Sequence, residues 1–451
     1  YPNVLFRLFM TELSQTYRSH AQTRLIWALC IASMVIYINL YTVQGMLPSI
    51  AEHFDVSGAQ ATLVLSVTSF TLAFSLLFYA VLSDRIGRLA PIVVSLWLLA
   101  ASNILLIFAQ TFDDLLWVRL LQGILLAAVP AISMAYFKEQ LAPSFMLKAA
   151  AVYIMANSMG GIAGRIFGGL MAQNLSWQSS MGLIFLVTLM GVALVTYLLP
   201  RKEIKPPVVK QKVSLMHKVK QDIDGFMFHL SDSQMRLAYA IGGLAFMLMV
   251  NQFSFIQLHI MAEPYGLSRF NATLIFLCYS SGTFASYLSA KWIMRYGSMP
   301  LFRVALCLMV AGTLLTLVDT LIAIVVGFLI SACGFFLTHS CCNSFVAIRA
   351  TSHRAKATSL YLCCYYLGAS LGGPYLMLFW HEAEWNGVVV GSMSLLTLLL
   401  VAIWRLGIHQ QQVIDLLQTT CREEEVALLV VTHAPEVAEQ FPVRHRLEDF
   451  N

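Results

Sequence analysis

The chain has 451 residues, of which 59% are hydrophobic and only 11% are charged. Ordinary soluble domains carry about 25% charged residues, so this composition excludes a set of soluble domains and predicts a polytopic membrane protein. The net charge of +5 is spread over many short clusters rather than one basic stripe, which argues against a nucleic-acid partner.

Twelve apolar stretches are each long enough to cross a hydrocarbon core of ~30 Å as a helix. Their apolar runs are continuous, whereas the strands of a membrane barrel would alternate apolar and polar residues. In chain order the predicted spans are residues 25–48, 60–82, 91–110, 115–136, 148–171, 179–199, 237–260, 271–290, 299–318, 320–346, 357–380 and 386–406.

The positions of the basic residues predict the orientation of these spans. Twenty-five of the 28 Lys and Arg lie in segments that would share one membrane face. Of the remaining three, Arg269 lies in an opposite loop, while Arg119 and Arg165 lie within spans. The positive-inside rule therefore places both termini in the cytoplasm. No cleavable signal peptide is expected, because residues 1–24 are polar and basic and the first apolar run has full length.

A long basic segment, residues 201–236, divides the predicted spans into six and six. The predicted organisation is therefore a cytoplasmic N-terminal segment 1–24, a six-helix bundle 25–200, this cytoplasmic linker, a second six-helix bundle 237–406 and a cytoplasmic tail 407–451.

The two halves also resemble each other in sequence. Residues 148–177 align with residues 356–385 without gaps, and the turn after span 2 aligns with the turn after span 8. The matching pairs are Gly87 and Gly297, Lys148 and Lys356, Ala149 and Ala357, Tyr153 and Tyr361, Gly160 and Gly368, Gly164 and Gly372, and Trp177 and Trp385. A repeat with the same orientation in both copies predicts an all-α membrane protein of two pseudo-symmetric bundles, with a substrate site between them near the midplane.

Three motifs resemble those of the major facilitator superfamily. The loop from Ala80 to Leu89 reads AVLSDRIGRL and is similar to G-x-x-x-D-R-x-G-R-[RK], with Ala80 for the first glycine and Leu89 for the last basic residue. Span 4 contains R-L-L-Q-G at residues 119–123, similar to R-x-x-Q-G. Span 5 resembles the antiporter motif G-x-x-x-G-P-x-x-G-G, with Arg165 in place of the proline.

This resemblance covers about residues 25–406 and is closest to bacterial inner-membrane exporters of the drug/proton antiporter and sugar-efflux type. It implies a transporter and not an enzyme. This transporter would export a small organic solute in exchange for protons by alternating access. It further implies a monomer in the inner membrane, with no cofactor or metal. An uncoupled facilitator or importer stays open, as does a non-transporting sensor or scaffold that signals through its tail.

The resemblance assigns a gating role to the loop after span 2, namely to Asp84, Arg85, Gly87 and Arg88. In the family this loop latches the two bundles, with the aspartate facing a helix N-terminus, where the dipole stabilises a carboxylate. The alternative is a tight basic turn that only sets topology. Met294 occupies the aspartate position in the second half, so the second copy of the latch is expected to be missing.

Candidates for proton coupling or substrate binding come from charged and titratable residues near the spans. Arg119 and Arg165 are costly within a bilayer and are expected at similar depth in its outer half. No Asp or Glu lies in the middle of any predicted span, which leaves Asp114 as a carboxylate near the outer mouth. The remaining candidates are Gln122, which could share a structural network with Arg119, and His339, whose ordinary pKa suits proton exchange.

Polar residues of spans 1, 5, 7 and 11 are candidates to line the central cavity, and the alternative for each is an interhelical hydrogen bond. They are Tyr37, Asn39, Tyr41, Gln44, Asn157, Asn251, Gln252 and Tyr365. Glycines spaced four residues apart on one helix face are expected to allow close helix packing. They are Gly160, Gly164, Gly168, Gly368 and Gly372.

The tail resembles a fragment of a different protein class. Residues 423–438 look like the strand and switch-histidine segment near the end of an ABC-transporter ATPase. No G-x-x-x-x-G-K-[ST] loop exists in the chain to hold phosphates, so ATP hydrolysis is not expected. A fusion remnant, a recombinant junction and a partner-docking tail stay open.

Overall fold

A computed structural model describes residues 2–199 and 215–423, and this part of the chain contains helices and no strand. The helices are α1 Pro2–Gly45, α2 Leu47–His53, α3 Gly58–Ala61, α4 Leu63–Ile86, α5 Leu89–Phe108, α6 Phe112–Leu126, α7 Ala128–Gln140, α8 Pro143–Asn174, α9 Trp177–Leu198, α10 Leu215–Ser231, α11 Ser233–Met261, α12 Arg269–Thr273, α13 Tyr279–Tyr296, α14 Ser298–Leu315, α15 Leu321–Arg349 and α16 Arg354–Glu423. A short 3₁₀ helix, Leu274–Cys278, joins α12 to α13.

Within these residues, nine helical stretches are long and apolar enough to cross a membrane. They are Ala21–Gly45, Gly58–Ile86, Leu89–Phe108, Phe112–Gln140, Trp177–Leu198, Ser233–Met261, Ser298–Leu315, Leu321–Arg349 and Arg354–Ile408. The all-α membrane fold is confirmed, while the count of twelve spans stays a prediction.

Three differences separate the nine stretches from the twelve predicted spans. Arg354–Ile408 contains two of the predicted spans, and it is broken where Ala383 and Glu384 leave the helical conformation. The predicted span 271–290 is interrupted by the 3₁₀ helix before α13, whose last turns carry Lys291 and Arg295. The predicted span 148–171 forms one continuous helix, α8, but it contains polar residues and several glycines in its sequence.

Parts of the chain outside the predicted spans are also helical. Helix α1 extends through the predicted N-terminal segment from Pro2, and α10 occupies much of the predicted linker. Helix α16 continues into the predicted tail as far as Glu423. The stretch that resembles an ATPase fragment lies almost entirely outside the described residues.

The chain forms two compact units. Unit 1 comprises Tyr1–Asp222 and Gly266–Phe276, and unit 2 comprises Ile223–Tyr265 and Leu277–Asn451. In unit 1, α1 packs on α8, α4 on α6, and α5 on α9. In unit 2, α11 packs on α16, and α15 packs on both α13 and α14.

Corresponding turns and contacts in the two units agree with the sequence repeat. Gly87 ends α4 at φ +97° and Gly297 ends α13 at φ +77°, a backbone region that favours glycine. The Trp177 indole N–H donates to the Leu106 carbonyl at 3.0 Å. The Trp385 indole N–H donates to the Thr316 hydroxyl at 3.2 Å. The alignment that places Gly87 over Gly297 also places Leu106 over Thr316. Both indoles therefore donate to residues at equivalent positions of the repeat.

Candidate functional site

A buried polar cluster joins three helices in the core of unit 1. The Asn103 side-chain amide on α5 donates to the Asn39 side-chain carbonyl on α1 at 2.8 Å and to the Thr188 hydroxyl on α9 at 3.1 Å. The Asn39 amide also donates to the Thr188 hydroxyl at 2.9 Å. All three side chains are buried, so each satisfies its polar atoms within the protein rather than in water.

Arg119 extends this cluster and is 1% exposed. Its Nε donates to the Thr68 hydroxyl at 3.0 Å, and one terminal nitrogen donates to the Gln122 side-chain carbonyl at 2.6 Å. The terminal nitrogens also donate to the backbone carbonyls of Asn39 and Leu40, both at 3.2 Å. Neutral oxygen atoms therefore surround the guanidinium. No carboxylate among the described residues forms an ion pair with it.

Gln122 connects Arg119 to the three-helix cluster. Its side-chain amide donates to the Asn103 side-chain carbonyl at 2.8 Å and to the Ser102 hydroxyl at 3.1 Å. The motif residues Arg119 and Gln122 thus face inward from the same turn of α6, three residues apart, as helix periodicity requires. The result is one continuous network across α1, α4, α5, α6 and α9.

Arg165 forms a second buried cationic site in unit 1. Its Nε donates to the Gln44 side-chain carbonyl at 2.7 Å, and a terminal nitrogen donates to the Gly161 carbonyl at 2.8 Å. The guanidinium carbon lies 3.7 Å from the Tyr41 ring centroid and 5.3 Å from the Phe276 ring centroid, within range for cation–π attraction.

Both arginines contact the same part of α1. Arg119 binds the carbonyls of Asn39 and Leu40, and Arg165 contacts Tyr41 and Gln44. At 1.5 Å per residue these contacts lie within roughly two helical turns. The two cations therefore lie at neighbouring depths along α1.

Asp114, the carboxylate expected near the outer mouth, lies in the first turn of α6. Its side chain accepts hydrogen bonds from the backbone N–H groups of Thr111 at 2.9 Å and Gln110 at 3.2 Å. The Thr111 hydroxyl in turn accepts from the Asp114 backbone N–H, which completes a capping box at the start of α6. Asp114 therefore stabilises the first turn of α6.

His339 lies in the middle of α15 in unit 2, and both of its ring nitrogens have side-chain partners. Nδ1 lies 2.7 Å from the Tyr361 hydroxyl on α16, and Nε2 lies 2.9 Å from the Asn343 side-chain amide nitrogen. Because the Asn343 amide donates to Nε2, the neutral imidazole carries its proton on Nδ1 and donates it to the tyrosine oxygen.

Aromatic rings surround this imidazole. The Tyr365 ring centroid lies 4.7 Å from the His339 ring centroid, and the Tyr365 ring stacks on Phe246 with 3.8 Å between centroids. Phe335 lies one turn before His339 on α15, with its ring stacked at 6.3 Å. The tyrosine predicted for the cavity therefore belongs to this aromatic cluster.

Unit 2 also contains a neutral counterpart of the polar cluster in unit 1. The Gln252 side-chain amide on α11 donates to the Ser392 hydroxyl at 2.9 Å and to the Thr313 hydroxyl at 3.2 Å. Asn251, the neighbouring cavity candidate, donates to the Ala369 carbonyl of α16 at 3.1 Å. Asn39, Asn251 and Gln252 thus make the interhelical bonds that the sequence left as the alternative, and a cavity role for them stays a prediction.

The predicted gating loop is held by ion pairs. Arg88 binds Asp84 and Glu139, each at 2.6 Å, and also donates to the Ser83 hydroxyl at 2.7 Å. Arg85 binds Asp222 at 2.7 Å. Asp84 therefore has its ion-pair partner four residues later within the motif.

The predicted packing glycines lie against neighbouring helices. A Cβ atom on Gly160 would lie 2.9 Å from Met34 Cα, and one on Gly164 would lie 2.9 Å from Ile38 Cα and its carbonyl oxygen. A Cβ on Gly168 would collide with the Thr42 carbonyl. In unit 2 the Cβ atoms of Gly368 and Gly372 would collide with the backbone of α11 in the same way.

The remaining cavity candidates of unit 1 lie on α1 and α8. The Ser33 hydroxyl donates to the Asn157 side-chain carbonyl, which joins α1 to α8. The Tyr37 and Tyr41 rings are stacked one turn apart on α1, with centroids 6.1 Å apart.

Several residues of these clusters were not predicted as site residues, and they share one property: each places a hydroxyl or amide group inside an apolar span. They are Thr68, Ser102, Asn103, Thr188, Thr313, Asn343, Tyr361 and Ser392. Asn103 carried the clearest signal, because an asparagine in a span needs polar partners. Across residues 2–199 and 215–423, no group of three or more His, Cys, Asp or Glu could hold a metal ion.

Comparison with known proteins identifies the class to which these features belong. A family model described as Major Facilitator Superfamily matches residues 29–373. The uncharacterized MFS-type transporter YybF of Bacillus subtilis (strain 168) is 34% identical over 371 residues, which cover 82% of this chain and 89% of that protein. The inner membrane transport protein YnfM of Escherichia coli (strain K12) is 31% identical over 389 residues, which cover 86% of this chain and 91% of that protein.

The solved structures also include similar folds. A crystal structure of the nucleoside transporter NupG, as a D323A mutant, matches with a TM-score of 0.69 at 14% sequence identity. The match covers 86% of this chain and 99% of that chain. At this level of identity the likeness concerns the fold.

Proposed function

Since the chain belongs to the Major Facilitator Superfamily, we propose that it is a secondary active transporter of the bacterial inner membrane that exports a small organic solute in exchange for protons. Alternating access is the transport mode that this membership supports. The glycine face of α8, packed on the backbone of α1, supports the likeness to the antiporter motif of span 5. The cytoplasmic location of both termini rests on the distribution of Lys and Arg.

The observation that carries proton coupling is the pairing of His339 with Tyr361. A carboxylate usually suits proton exchange within a membrane, but the predicted spans hold none near their middle. Histidine is the side chain whose ordinary pKa lies closest to physiological pH. In this structure the imidazole is flanked by a hydroxyl that can relay a proton, so protonation of His339 changes the donor pattern within unit 2.

The two buried arginines support an anionic or neutral solute over a cation. Arg119 has neutral oxygen partners, and Arg165 contacts aromatic faces and amide oxygens. Buried positive charges of this kind repel a cationic solute in a medium of low dielectric constant.

The first step of a direct test is to identify a solute that binds the chain. Thermal-shift screening of the purified full chain identifies solutes that stabilise it, because a ligand that binds the folded state raises its unfolding temperature. Flux of the strongest binder is then measured in proteoliposomes with and without a proton gradient. Gradient-driven transport is expected for the native chain, whereas His339→Gln is expected to lose gradient-driven accumulation and to retain solute exchange.

His259→Gln is the matched control, because His259 is a second imidazole of unit 2 that stacks on Trp385, with 5.9 Å between ring centroids. This variant is expected to keep its gradient-driven flux. Equal flux with and without the gradient in the native chain would favour an uncoupled facilitator. If no bound solute is moved, and deletion of residues 408–451 abolishes the cellular phenotype, the sensor function replaces this proposal.

A further inference from the structure

Helix α10, Leu215–Ser231, is divided between the two units after Asp222, and its second half packs within unit 2. His229 is buried, and its Nε2 lies 3.3 Å from the His353 carbonyl oxygen. The Lys356 ammonium lies 5.6 Å from the Phe226 ring centroid. These contacts attach the second half of α10 to the residues around the start of α16.

An exposed apolar stripe runs along α10 beside its packed face, and the exposed polar residues Lys220 and Asp224 lie beyond the stripe. Val219, Ile223 and Met227 follow one another at intervals of four residues and therefore form one stripe along the helix. Ile223 is 54% exposed and Met227 is 53% exposed. A helix bathed in water presents polar residues on its outer face, so this stripe is suited to an apolar environment.

The contacts of α10 place it at the ends of membrane-spanning helices. In unit 1, Asp222 of α10 binds Arg85 in the last turn of α4 at 2.7 Å. In unit 2, Asp232 separates α10 from the spanning helix α11 and caps the first turn of α11. Both helix ends belong to the face that the distribution of Lys and Arg predicts to be cytoplasmic. The stripe therefore lies at the level where these spans leave the bilayer.

The charge next to the stripe is strongly basic. Residues 201–220 contain seven Lys and Arg and a single Glu. Within α10, Asp222 forms an ion pair with Arg85, and the exposed Lys220 and Asp224 carry opposite charges, so the basic excess comes from the residues before them. An exposed apolar helix face with neighbouring basic residues is the pattern of a helix that lies in the membrane interface and attracts anionic lipids.

We propose that α10 is an interfacial lipid-binding helix, whose stripe of Val219, Ile223 and Met227 inserts among anionic phospholipids of the cytoplasmic leaflet. Lipid is a better occupant than a protein partner, because the stripe lies at the depth of the bilayer surface and adjoins a basic segment. This surface adds a lipid-dependent element to the chain that is independent of the transported solute.

Photocrosslinking identifies the molecule that contacts the apolar stripe of α10. Benzoylphenylalanine is introduced at Met227 in the full chain, which is reconstituted in vesicles of phosphatidylcholine with about 30% phosphatidylglycerol. The expected result is a lipid adduct at residue 227, with phosphatidylglycerol enriched about threefold over its share of the vesicle lipid. The enrichment is expected to fall when Lys210, Lys212, Lys218 and Lys220 are replaced by Gln.

Two control positions, one negative and one positive, show whether a lipid adduct at Met227 is specific. Gln221 is exposed on the side of α10 away from the stripe, and its benzoylphenylalanine variant is expected to give no lipid adduct. Leu398 is 55% exposed on α16 within the apolar stretch Arg354–Ile408, and its variant reports that crosslinking to lipid works. The proposal is overturned if Leu398 captures lipid and Met227 does not. It is also overturned if Met227 captures a protein, or captures both lipids only in proportion to their abundance.

Discussion

The two units share a framework but differ in what they place at its centre. Each joins three helices through a small polar cluster, Asn39, Asn103 and Thr188 in unit 1, and Gln252, Thr313 and Ser392 in unit 2. In unit 1 this cluster continues into Arg119 through Gln122. In unit 2 the matching cluster is neutral, and the titratable group is His339 among aromatic rings.

This difference between the units distinguishes polar side chains that join helices from a charged side chain that we expect to serve transport. In unit 2, hydrogen bonds between neutral side chains link the three helices without a buried charge in the cluster. A buried arginine costs much more than a neutral side chain, so its presence in unit 1 exceeds what packing requires. We therefore expect the repeated features to govern folding and the unrepeated ones to govern transport.

The largest effect is expected from removal of the Arg119 charge. Arg119→Met retains an unbranched side chain of similar length, and transport is expected to fall by about 100-fold or more because the intramembrane cation is lost. The alignment that pairs Gly87 with Gly297 places Leu329 opposite Arg119 in unit 2. Leu329→Met is therefore the matched control, and it is expected to change flux less than about twofold, since such swaps conserve volume. Flux in proteoliposomes is the measurement, and unchanged flux in Arg119→Met would contradict this division of roles.

The next largest effect concerns a feature that the units share. A methyl group on Gly164 would lie 2.9 Å from Ile38 Cα, so Gly164→Ala must push α8 away from α1. We expect a loss of about 1–3 kcal/mol of stability, and Gly372→Ala in unit 2 is expected to behave alike. Gly182→Ala is the control, because a Cβ there meets nothing within 4 Å. Thermal unfolding in detergent measures all three, and equal stability of Gly164→Ala and Gly182→Ala would refute close packing at α8.

A smaller effect on stability is expected from substitutions within the two polar clusters. Asn103→Leu removes bonds to Asn39, Thr188 and Gln122, and so disturbs the support of Arg119. We expect a loss of about 2–3 kcal/mol, with reduced flux. Thr313→Val in unit 2 removes one bond, from Gln252, and is expected to cost about 0.6 kcal/mol, the average for such bonds in membranes. Equal losses in unfolding experiments would mean that the charged extension adds nothing to the stability of unit 1.

The smallest effect concerns the start of α11, outside the spanning residues. Burial raises the pKa of the Asp232 carboxyl, but the Arg349 guanidinium at 2.6 Å and two backbone N–H donors outweigh burial and hold the pKa below its ordinary value. The stabilisation is therefore present above the unfolded pKa of about 4 and is lost as the pH falls through the lowered folded value.

Asp232→Asn tests this contribution. The variant is expected to be less stable than the native chain by under about 1 kcal/mol at pH 7, because the ion pair is partly exposed to solvent. The difference is expected to disappear in strongly acidic buffer, where the native carboxyl is protonated. Unfolding temperatures measured across pH provide the comparison, and a gap that persists at acidic pH would show that the charge of Asp232 is not its source.

Much of the architecture follows from local sequence signals. Continuous apolar runs predict spanning helices because a bilayer leaves no other partner for backbone polar groups. The glycine spacing of α8 correctly indicates its packing on α1, since four-residue spacing defines a helix face. Local detail was not anticipated from the sequence: the 3₁₀ helix before α13 carries no distinct composition, and the helical character of α10 was not foreseen within a basic linker.

The sequence by itself determined the membrane class, the repeat and the two arginines within predicted spans, because hydropathy, spacing and charge are properties of neighbouring residues. Only the tertiary structure decided that Arg119 is held by oxygens from α1, α4 and α6, that Asp114 caps its own helix, and that His339 meets Tyr361. These partners come from separate helices, and the choice among many polar side chains depends on how the helices are rotated against one another. That rotation is set by packing over the whole unit.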